Sequence, residues 1–389
     1  MSEGAPAAAD LLARSGEALA RGDRAEALAL IAQAQAADAA DPALRLQKAL
    51  IHRTGREWAQ ALAALDEALA LDPYNFLALL SKGAVVERMS GSRAAAKVYE
   101  NALKLAPTPE NLPANLAAPT ARAHQVVAGV QAELEAYLRH RVGAMEAAGG
   151  AAAQARFDEA LGVYAGTRRV YVQQPLLLHY PRLPAIPFHE RALFPWLAEL
   201  EASSDVIRGE LEGVLALGQA DFAPYIAFPP EAPVNQWGEL NHSARWSSYF
   251  LWKDGERQSD ACARCPRTAA LLEGLPMARL PGFAPTAMFS ALDAHTAIPP
   301  HTGSTNTRLI VHLPLVLPGP ARFRVGGETQ AWRMGEAWVF DDTMEHEAWN
   351  DADQTRIILI FDVWNPLLEP GERDLVAALM TARNDFYAG

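Results

Sequence analysis

Disulfide chemistry has almost nothing to work with in this chain: Cys262 and Cys265, in "ACARCPRT", are its only two cysteines. One CxxC without a second Cys or His pair is a poor zinc site, and no βαβ pattern surrounds it to suggest a redox motif. Two reduced thiols at a helix start are expected. Long apolar runs are missing as well. No stretch of about 18 apolar residues occurs, so no helix is predicted to cross a bilayer. The opening "MSEGAPAAADLLARSGEALA" has neither a basic n-region nor an unbroken apolar core, and so does not read as a secretory signal. Positive charge is also short, with 34 Lys and Arg against 46 Asp and Glu and a formal net charge of −12. Phosphate-rich partners demand clustered Lys and Arg, so nucleic acid and acidic membranes are excluded as general partners, while cationic peptides or proteins remain compatible. Together these absences predict a cytoplasmic chain.

At 389 residues the chain exceeds what one hydrophobic core supports, so two domains are expected. The N-terminal third repeats itself. Residues 8 to 110 are rich in Ala and Leu at helical spacing, with Asp-Pro or Ala-Pro stops at Pro42, Pro73 and Pro107. Pro73 and Pro107 lie 34 residues apart, and the segments before them align without gaps: Ala49 with Gly83, Ala61 with Ala95, Leu65 with Tyr99, Ala68 with Ala102. Small residues at fixed positions let paired helices approach closely, and a proline would end the second helix of each pair. Period and phase resemble the tetratricopeptide repeat, which predicts an α-solenoid over residues 1–110 with a concave face for a peptide or protein partner. An Ala-rich bundle without a binding role is the plainer alternative.

From residue 111 the pattern changes. "ENLPANLAAP" reads as a connector, and the helical stretches that follow, separated by the breaker "AAGG" at 147–150, make residues 111–170 a helical linker. His140 in "LRHRV" fits a solvated helix face. Residues 171–389 carry short β-branched runs, "TAMFSAL", "TRLIVHLPLVLP", "ARFRVGG", "EAWVFDD" and "TRIILIFDVW", with turn signals between them. Short strands at that spacing predict a sandwich or jelly roll. "ALFPWLAELEASSDVIRGELEGVLAL" reads as one long amphipathic helix packed outside it.

Histidines punctuate this β-rich part. His301 follows two prolines in "PPHTGSTNTRLIVHLPL", read as a Pro-stiffened turn leading into a strand, and His346 sits in the turn-rich acidic segment of "GEAWVFDDTMEHEAWND". Either alone is more often a loop residue. Both lie at strand mouths, 45 residues apart, and a jelly roll can bring such positions together at one end. Neutral imidazole suits iron, copper, zinc or nickel. Arg356 opens the apolar strand "RIILIFDVW"; pointed inward, it requires an anion, for which a carboxylate is the bidentate match. Ser290, at the end of "TAMFS", could share that carboxylate. Arg308 and His312 alternate with Leu309 and Val311 and so face one side. Two histidines on a metal, with Arg, Ser and a further His on a dianion, outline an oxygenase that uses a 2-oxo acid.

"PHTGSTNTRLIVHLPL", "GEAWVFDDTMEHEAWND" and "TRIILIFDVWNP" resemble, in that order, the aspartyl/asparaginyl β-hydroxylase family. The resemblance covers roughly residues 175 to 370, including "YPRLPAIPFHE" and "SARWSSYFLWKDGE". It implies a double-stranded β-helix (jelly-roll) dioxygenase using Fe(II), 2-oxoglutarate and O2 to hydroxylate a C–H bond, the β-carbon of Asp or Asn in a peptide or protein. By position it implies His301 and His346 as iron ligands, Ser290 and Arg356 on the far carboxylate of 2-oxoglutarate, and His312 at the end next to the metal. Gly303 stands where most iron oxygenases carry an acidic ligand, in keeping with this family's lack of one. A positive φ at Gly303 is the expected obstacle to an acid there, and Asp293, Asp342 and Glu345 are the acids to exclude as metal ligands. Ile310 stands where some members have Arg, so Arg308 is assigned to the metal-side carboxylate. Two rival readings share the pattern: a non-catalytic repeat adaptor with a jelly-roll domain, and a jelly-roll metalloenzyme that does not use 2-oxoglutarate.

Overall fold

The structure is a computed structural model, and it describes residues 7–143, 150–216, 218 and 222–388. The chain divides into two compact units, Met1–Arg169 and Val170–Gly389.

The first unit is helical. Three successive hairpins pair α1 (Ala8–Ala20) with α2 (Arg24–Ala37), α3 (Pro42–Thr54) with α4 (Trp58–Leu71), and α5 (Phe76–Ser90) with α6 (Ser92–Leu103). Short polar side chains start the helices. Asp23 accepts from the backbone N–H of Glu26, Asp41 from Ala43 and Asn75 from Ala78, satisfying donors that a helix start leaves open. The aligned small positions are buried: Ala49, Ala61, Ala68, Ala95 and Ala102 have almost no exposed surface. Gly83 is buried against the ring of Tyr99. The prolines behave differently from one another. Pro42 does not stop α2; it is the first residue of α3, where its missing N–H costs nothing. Pro73 and Pro107 do lie just past α4 and α6.

Residues 111–169 belong to this unit. They form α7 (Ala114–Val142) and α8 (Gly150–Ala165), and Ala123, Val126 and Val127 of α7 join a core with Leu80, Ala95 and Tyr99. The breaker read at 147–150 lies outside the described residues except for Gly150, and His140 is exposed.

The second unit is built around two antiparallel sheets. It begins with α9 (Leu197–Ala202) and α10 (Ser204–Ala216), then β1 (Ala223–Pro224), β2 (Trp246–Lys253), β3 (Glu256–Arg257), α11 (Ser259–Arg264) and α12 (Pro266–Gly274). There follow β4 (Ala287–Leu292), β5 (Thr296–His301), β6 (Arg308–Val316), β7 (Ala321–Val325), β8 (Glu328–Ala331), β9 (Trp338–Phe340), β10 (His346–Asn350), β11 (Arg356–Trp364) and α13 (Pro370–Ala388). The larger sheet runs β1-β2-β4-β11-β6-β9 with β3 on β2; the smaller runs β5-β10-β7-β8.

Strand period sorts the side chains of the larger sheet. Phe289, Leu309, Val311, Leu313, Leu359 and Phe361 turn outward to a core shared with α9, α10 and α12. Leu292 and Ile358 turn inward and meet Ile298, Phe323 and Ala348 of the smaller sheet.

Three sequence expectations change. The single helix read over 192–217 is two, because the Ser203 hydroxyl donates to the carbonyl of Glu199 and the chain turns there. The stretch read as a Pro-stiffened turn is the end of β5, with the turn falling after His301; β5 is an edge strand, where Pro299 and Pro300 need no N–H for the ladder. His346 opens β10 instead of lying within a turn. Cys262 and Cys265 are buried free thiols at α11 and the start of α12.

Gly83 provides a test of the helix packing. A Cβ there would lie 2.4 Å from two ring carbons of Tyr99, so Gly83→Leu should lower stability by about 1–3 kcal/mol, measured by denaturant unfolding. Gly16→Ala in α1 meets nothing within 4 Å and should stabilise by up to about 1 kcal/mol. Equal effects of the two substitutions would refute the close packing of α5 on α6.

Candidate functional site

The site is made by residues that break the apolar pattern of the inner faces. On β4, Ser290 stands between Met288 and Leu292; on β6, Arg308, Ile310 and His312 alternate with outward Leu309 and Val311; on β11, Arg356 and Asp362 flank Ile358 and Ile360. The two-residue period sends all of them to one side. They line a cavity of about 290 Å³ that also takes in Tyr225, Trp237, Trp246, His301, Gly303, Asp342 and His346.

His301 and His346 come together by sheet register. They are Cα partners across β5 and β10, and their ring centroids lie 4.0 Å apart. Each Nδ1 is bonded to a backbone carbonyl, of Pro299 at 2.8 Å and of Met344 at 3.0 Å. A carbonyl only accepts, so both Nδ1 atoms carry the proton and both Nε2 atoms keep a lone pair. Burial, reinforced by the neighbouring His346, lowers the pKa of His301 to about 3; burial lowers that of His346 to about 4. Two neutral imidazoles of fixed tautomer are a donor set for a first-row divalent metal. Among the described residues no three His, Cys, Asp or Glu side chains are arranged to hold one. Asp293 instead accepts from the Thr355 hydroxyl, Asp342 pairs with Arg308, and Glu345 pairs with Arg324.

Arg356 is the most unusual charge in the unit. It is 1% exposed, its Nε has no hydrogen-bond partner, and its Nη1 donates only to the carbonyl of Ser290, at 3.3 Å. Its guanidinium lies 4.9 Å from the ring centre of Trp332. Burial pulls its pKa down to about 9, and no carboxylate offsets that. Such a charge calls for an anionic ligand. Ser290 lies beside it: its hydroxyl oxygen accepts from Trp246 Nε1 at 3.1 Å, leaving the hydroxyl hydrogen to donate elsewhere. His312 lines the same cavity with an unpartnered Nδ1, and burial, followed by the charge of Arg356, holds its pKa well below the ordinary value.

Arg308 has the opposite surroundings. It lies 3.3 Å from Asp342 and 3.4 Å from Asp362. Burial works against its charge, yet the two carboxylates hold its pKa above the ordinary value. Asp362 also accepts from the backbone N–H of Thr286 at 2.6 Å, and burial raises its pKa to about 6. The obstacle at Gly303 differs from the expected one. Its φ is not positive; a Cβ there would lie 2.0 Å from a carboxylate oxygen of Asp342.

The sequence reading missed Trp246, Trp332, Asp342 as a partner of Arg308, and Asp362. Asp362 left a signal, an acid inside "RIILIFDVW", since a charge in a buried strand needs a partner. The segment before α9 was also missed as a support. Backbone N–H groups of Gln174, Leu176 and Leu177 donate to carbonyls of Thr343, Gly303 and Ser304, and Gln173 joins Asp341 at 2.6 Å to Asn306 at 3.1 Å.

Comparison with known proteins adds sequence kinship. Residues 201–366 match the family model described as Aspartyl/Asparaginyl beta-hydroxylase. An "Ornithine lipid ester-linked acyl 2-hydroxylase" of Rhizobium tropici is 34% identical over 200 residues, covering 51% of this chain and 67% of its own. The human "Aspartyl/asparaginyl beta-hydroxylase" is 36% identical over 182 residues, or 46% of this chain; the chain spans only 22% of that relative's length. Among solved structures, the Sgt2 tetratricopeptide domain from Aspergillus fumigatus is similar at 16% identity, covering 38% of this chain and 92% of that one. Its TM-score is 0.28.

The unpaired guanidinium makes a stability prediction. Arg356→Met keeps a long side chain and removes the buried charge, so the ligand-free variant should be more stable than the parent by about 1–3 kcal/mol. A dicarboxylic acid should raise the melting temperature of the parent and leave that of the variant unmoved. A destabilised variant would show that Arg356 is satisfied within the chain.

Proposed function

The chain belongs to the aspartyl/asparaginyl β-hydroxylase family, and on that premise we propose that it is an iron(II)- and 2-oxoglutarate-dependent dioxygenase. Its reaction would hydroxylate an unactivated C–H bond, at the β-carbon of Asp or Asn in a peptide or protein. The observation that carries this reading is Arg356: a buried cation without an acid, in the same cavity as two neutral imidazoles. A double-stranded β-helix is supported by the strand order, in which β4-β11-β6-β9 faces β5-β10-β7-β8.

The residues divide the work. His301 and His346 would hold the metal through Nε2, with Pro299 and Met344 fixing their tautomers. Arg356 would pair with the far carboxylate of 2-oxoglutarate, and the Ser290 hydroxyl, held by Trp246, would donate to it. His312 and Arg308 would serve the carboxylate next to the metal. When bound, iron with 2-oxoglutarate and O2 would supply the oxidation, the oxo acid being converted to succinate and carbon dioxide with one oxygen atom and the substrate C–H bond taking up the other. The chain adds a shielded cavity, with Trp237 4.9 Å from the His301 ring and Phe340 5.6 Å from that of His346. The helical repeats of the first unit would recruit the peptide or protein, as stacked helical hairpins commonly do.

Oxidation of an acyl chain is a second reading. It is favoured by the Rhizobium tropici relative, whose name assigns it that reaction, and by Tyr225, Ile226 and Ile298 on the cavity wall.

Iron-dependent release of succinate from 2-oxoglutarate tests the reaction class. His301→Ala and His346→Ala should each bring that release to background and leave circular dichroism unchanged, because both imidazoles stand at strand ends. No succinate from the parent protein would leave the adaptor reading, if 2-oxoglutarate fails to bind, or a different metalloenzyme, if metal alone binds. Near-normal turnover in either variant would remove that histidine from the metal.

A further inference from the structure

On the outer face of the smaller sheet, behind the histidine pair, one arginine holds both neighbours of His346. Arg324 of β7 is the Cα partner of Glu347, as Val325 is of His346. Side chains alternate across a strand, so His346 turns into the cavity while Arg324 and Glu347 turn away from it. Arg324 Nε donates to Glu347, and Nη2 donates to Glu345 at 2.8 Å. Nη1 donates to the carbonyl of Gly326 at 2.7 Å and to the Tyr171 hydroxyl at 3.2 Å. The guanidinium also stands 5.5 Å from the centre of the Tyr171 ring. Burial works against its charge, yet Glu345 and Glu347 hold the pKa of Arg324 above the ordinary value. A guanidinium carries its donors in a fixed plane, and here most of them serve the residues that bracket a single imidazole.

We infer that Arg324 is a positioning residue for the metal: by gripping Glu345 and Glu347 it fixes the stretch of backbone that aims His346. The inference rests on the hydroxylase function proposed above and concerns how its metal site is held. His346 owes its tautomer and its aim to the Met344 carbonyl, which accepts from Nδ1. That carbonyl belongs to the planar peptide joining Met344 to Glu345, so a swing of Glu345 would carry the acceptor with it. The ladder towards β5 restrains this stretch poorly, because its register shifts between His346 and Ala348. The pairing with β7 is regular there. On that side the Gly326 N–H donates to the Glu345 carbonyl at 2.8 Å, next to the grip of Arg324.

Arg322 shows what an ordinary surface pair on the same strand looks like. It lies two residues before Arg324 and on the same face; its Nε donates to Asp351 at 3.0 Å, and its guanidinium lies 4.1 Å from the centre of the Trp349 ring. Its side chain is 47% exposed, against 15% for Arg324, and Asp351 follows the end of β10 that is opposite His346. One exposed charge there answers one acid. Arg324 balances two acids, placed on either side of a proposed metal ligand. Without it, two carboxylates two residues apart would repel each other across His346 and push the start of β10 out of line.

The test titrates the metal-free full chain with Co(II), whose visible absorption reports the ligands around it, so no turnover is needed. Arg324→Gln should weaken binding by about 10- to 100-fold and alter the absorption band at saturation, as loss of a ligand's outer support does. Arg324→Lys keeps the charge without the planar fork, and its affinity should fall between those of Arg324→Gln and the parent. Arg322→Gln, which breaks the pair at the far end of β10, should bind Co(II) as the parent does. Parental affinity and spectrum in Arg324→Gln would overturn the inference. So would an equal loss in Arg322→Gln, which would make the effect one of general sheet stability. Where Arg324→Gln fails to fold, Arg324→Lys decides, and parental binding by that variant overturns the inference. Each of these results leaves the hydroxylase reading in place, because the parent still binds metal. Absence of Co(II) binding by the parent would instead remove the metal site, and this inference with it.

Discussion

His301 and His346 face each other because β5 and β10 run antiparallel with those residues as partners, and the remainder of the site is arranged around that register. A slip of one residue would turn the imidazole of the slipped strand to the opposite face of the sheet. The register is held from both sides, since His346 is also the partner of Val325 on β7. A shift in the ladder between His346 and Ala348 confines the irregularity to the first residues of β10. Aromatic rings close around the pair, and their exclusion of water is what keeps both imidazoles neutral.

Two arginines enter the same cavity with opposite surroundings. Arg356 has a carbonyl, an indole face and no acid; Arg308 has two acids. In a low-dielectric interior those surroundings decide what each can still bind. The first is incomplete without an anion. The second already has its counter-charge and lacks only well-directed hydrogen bonds. Asp342 links this polarity to the histidine loop, because its carboxylate fills the space that a side chain at position 303 would need.

How much of this was legible in the sequence depended on whether a residue's meaning was local. The helical repeats were, because Ala49 and Gly83, or Leu65 and Tyr99, recur in phase and the packing of small against large follows. The strands β4, β6, β7, β9 and β11 were as well, each bounded by turn residues. The two histidines, Ser290 and Arg356 stood out as polar groups in or beside apolar runs, and the structure places them around one cavity. β2 was not read as a strand, because "WSSYFLWK" is buried on both faces and shows no alternation; nor was β8, which is exposed throughout. Trp246 was invisible for another reason. An indole N–H can serve a hydroxyl on a neighbouring strand only once register sets them side by side, and β2 pairs Ser248, not Trp246, with Ser290. The true obstacle at Gly303 was equally non-local, since it comes from a residue on the far side of β6 through β9.

The segment from Gln173 to Leu177 bears on how this protein is divided for study. The match to the family model begins at residue 201, and the residues proposed to bind metal and oxo acid all lie beyond it. A fragment cut to that boundary would keep every one of them. It would nonetheless lose the backbone donors that tie down the carbonyls of Gly303, Ser304 and Thr343, and the Gln173 amide that bridges Asp341 and Asn306. The loops between His301 and β6, and between β9 and His346, would then have open carbonyls where they now have partners. In this chain the piece that the family model matches is smaller than the piece that holds its own loops in place.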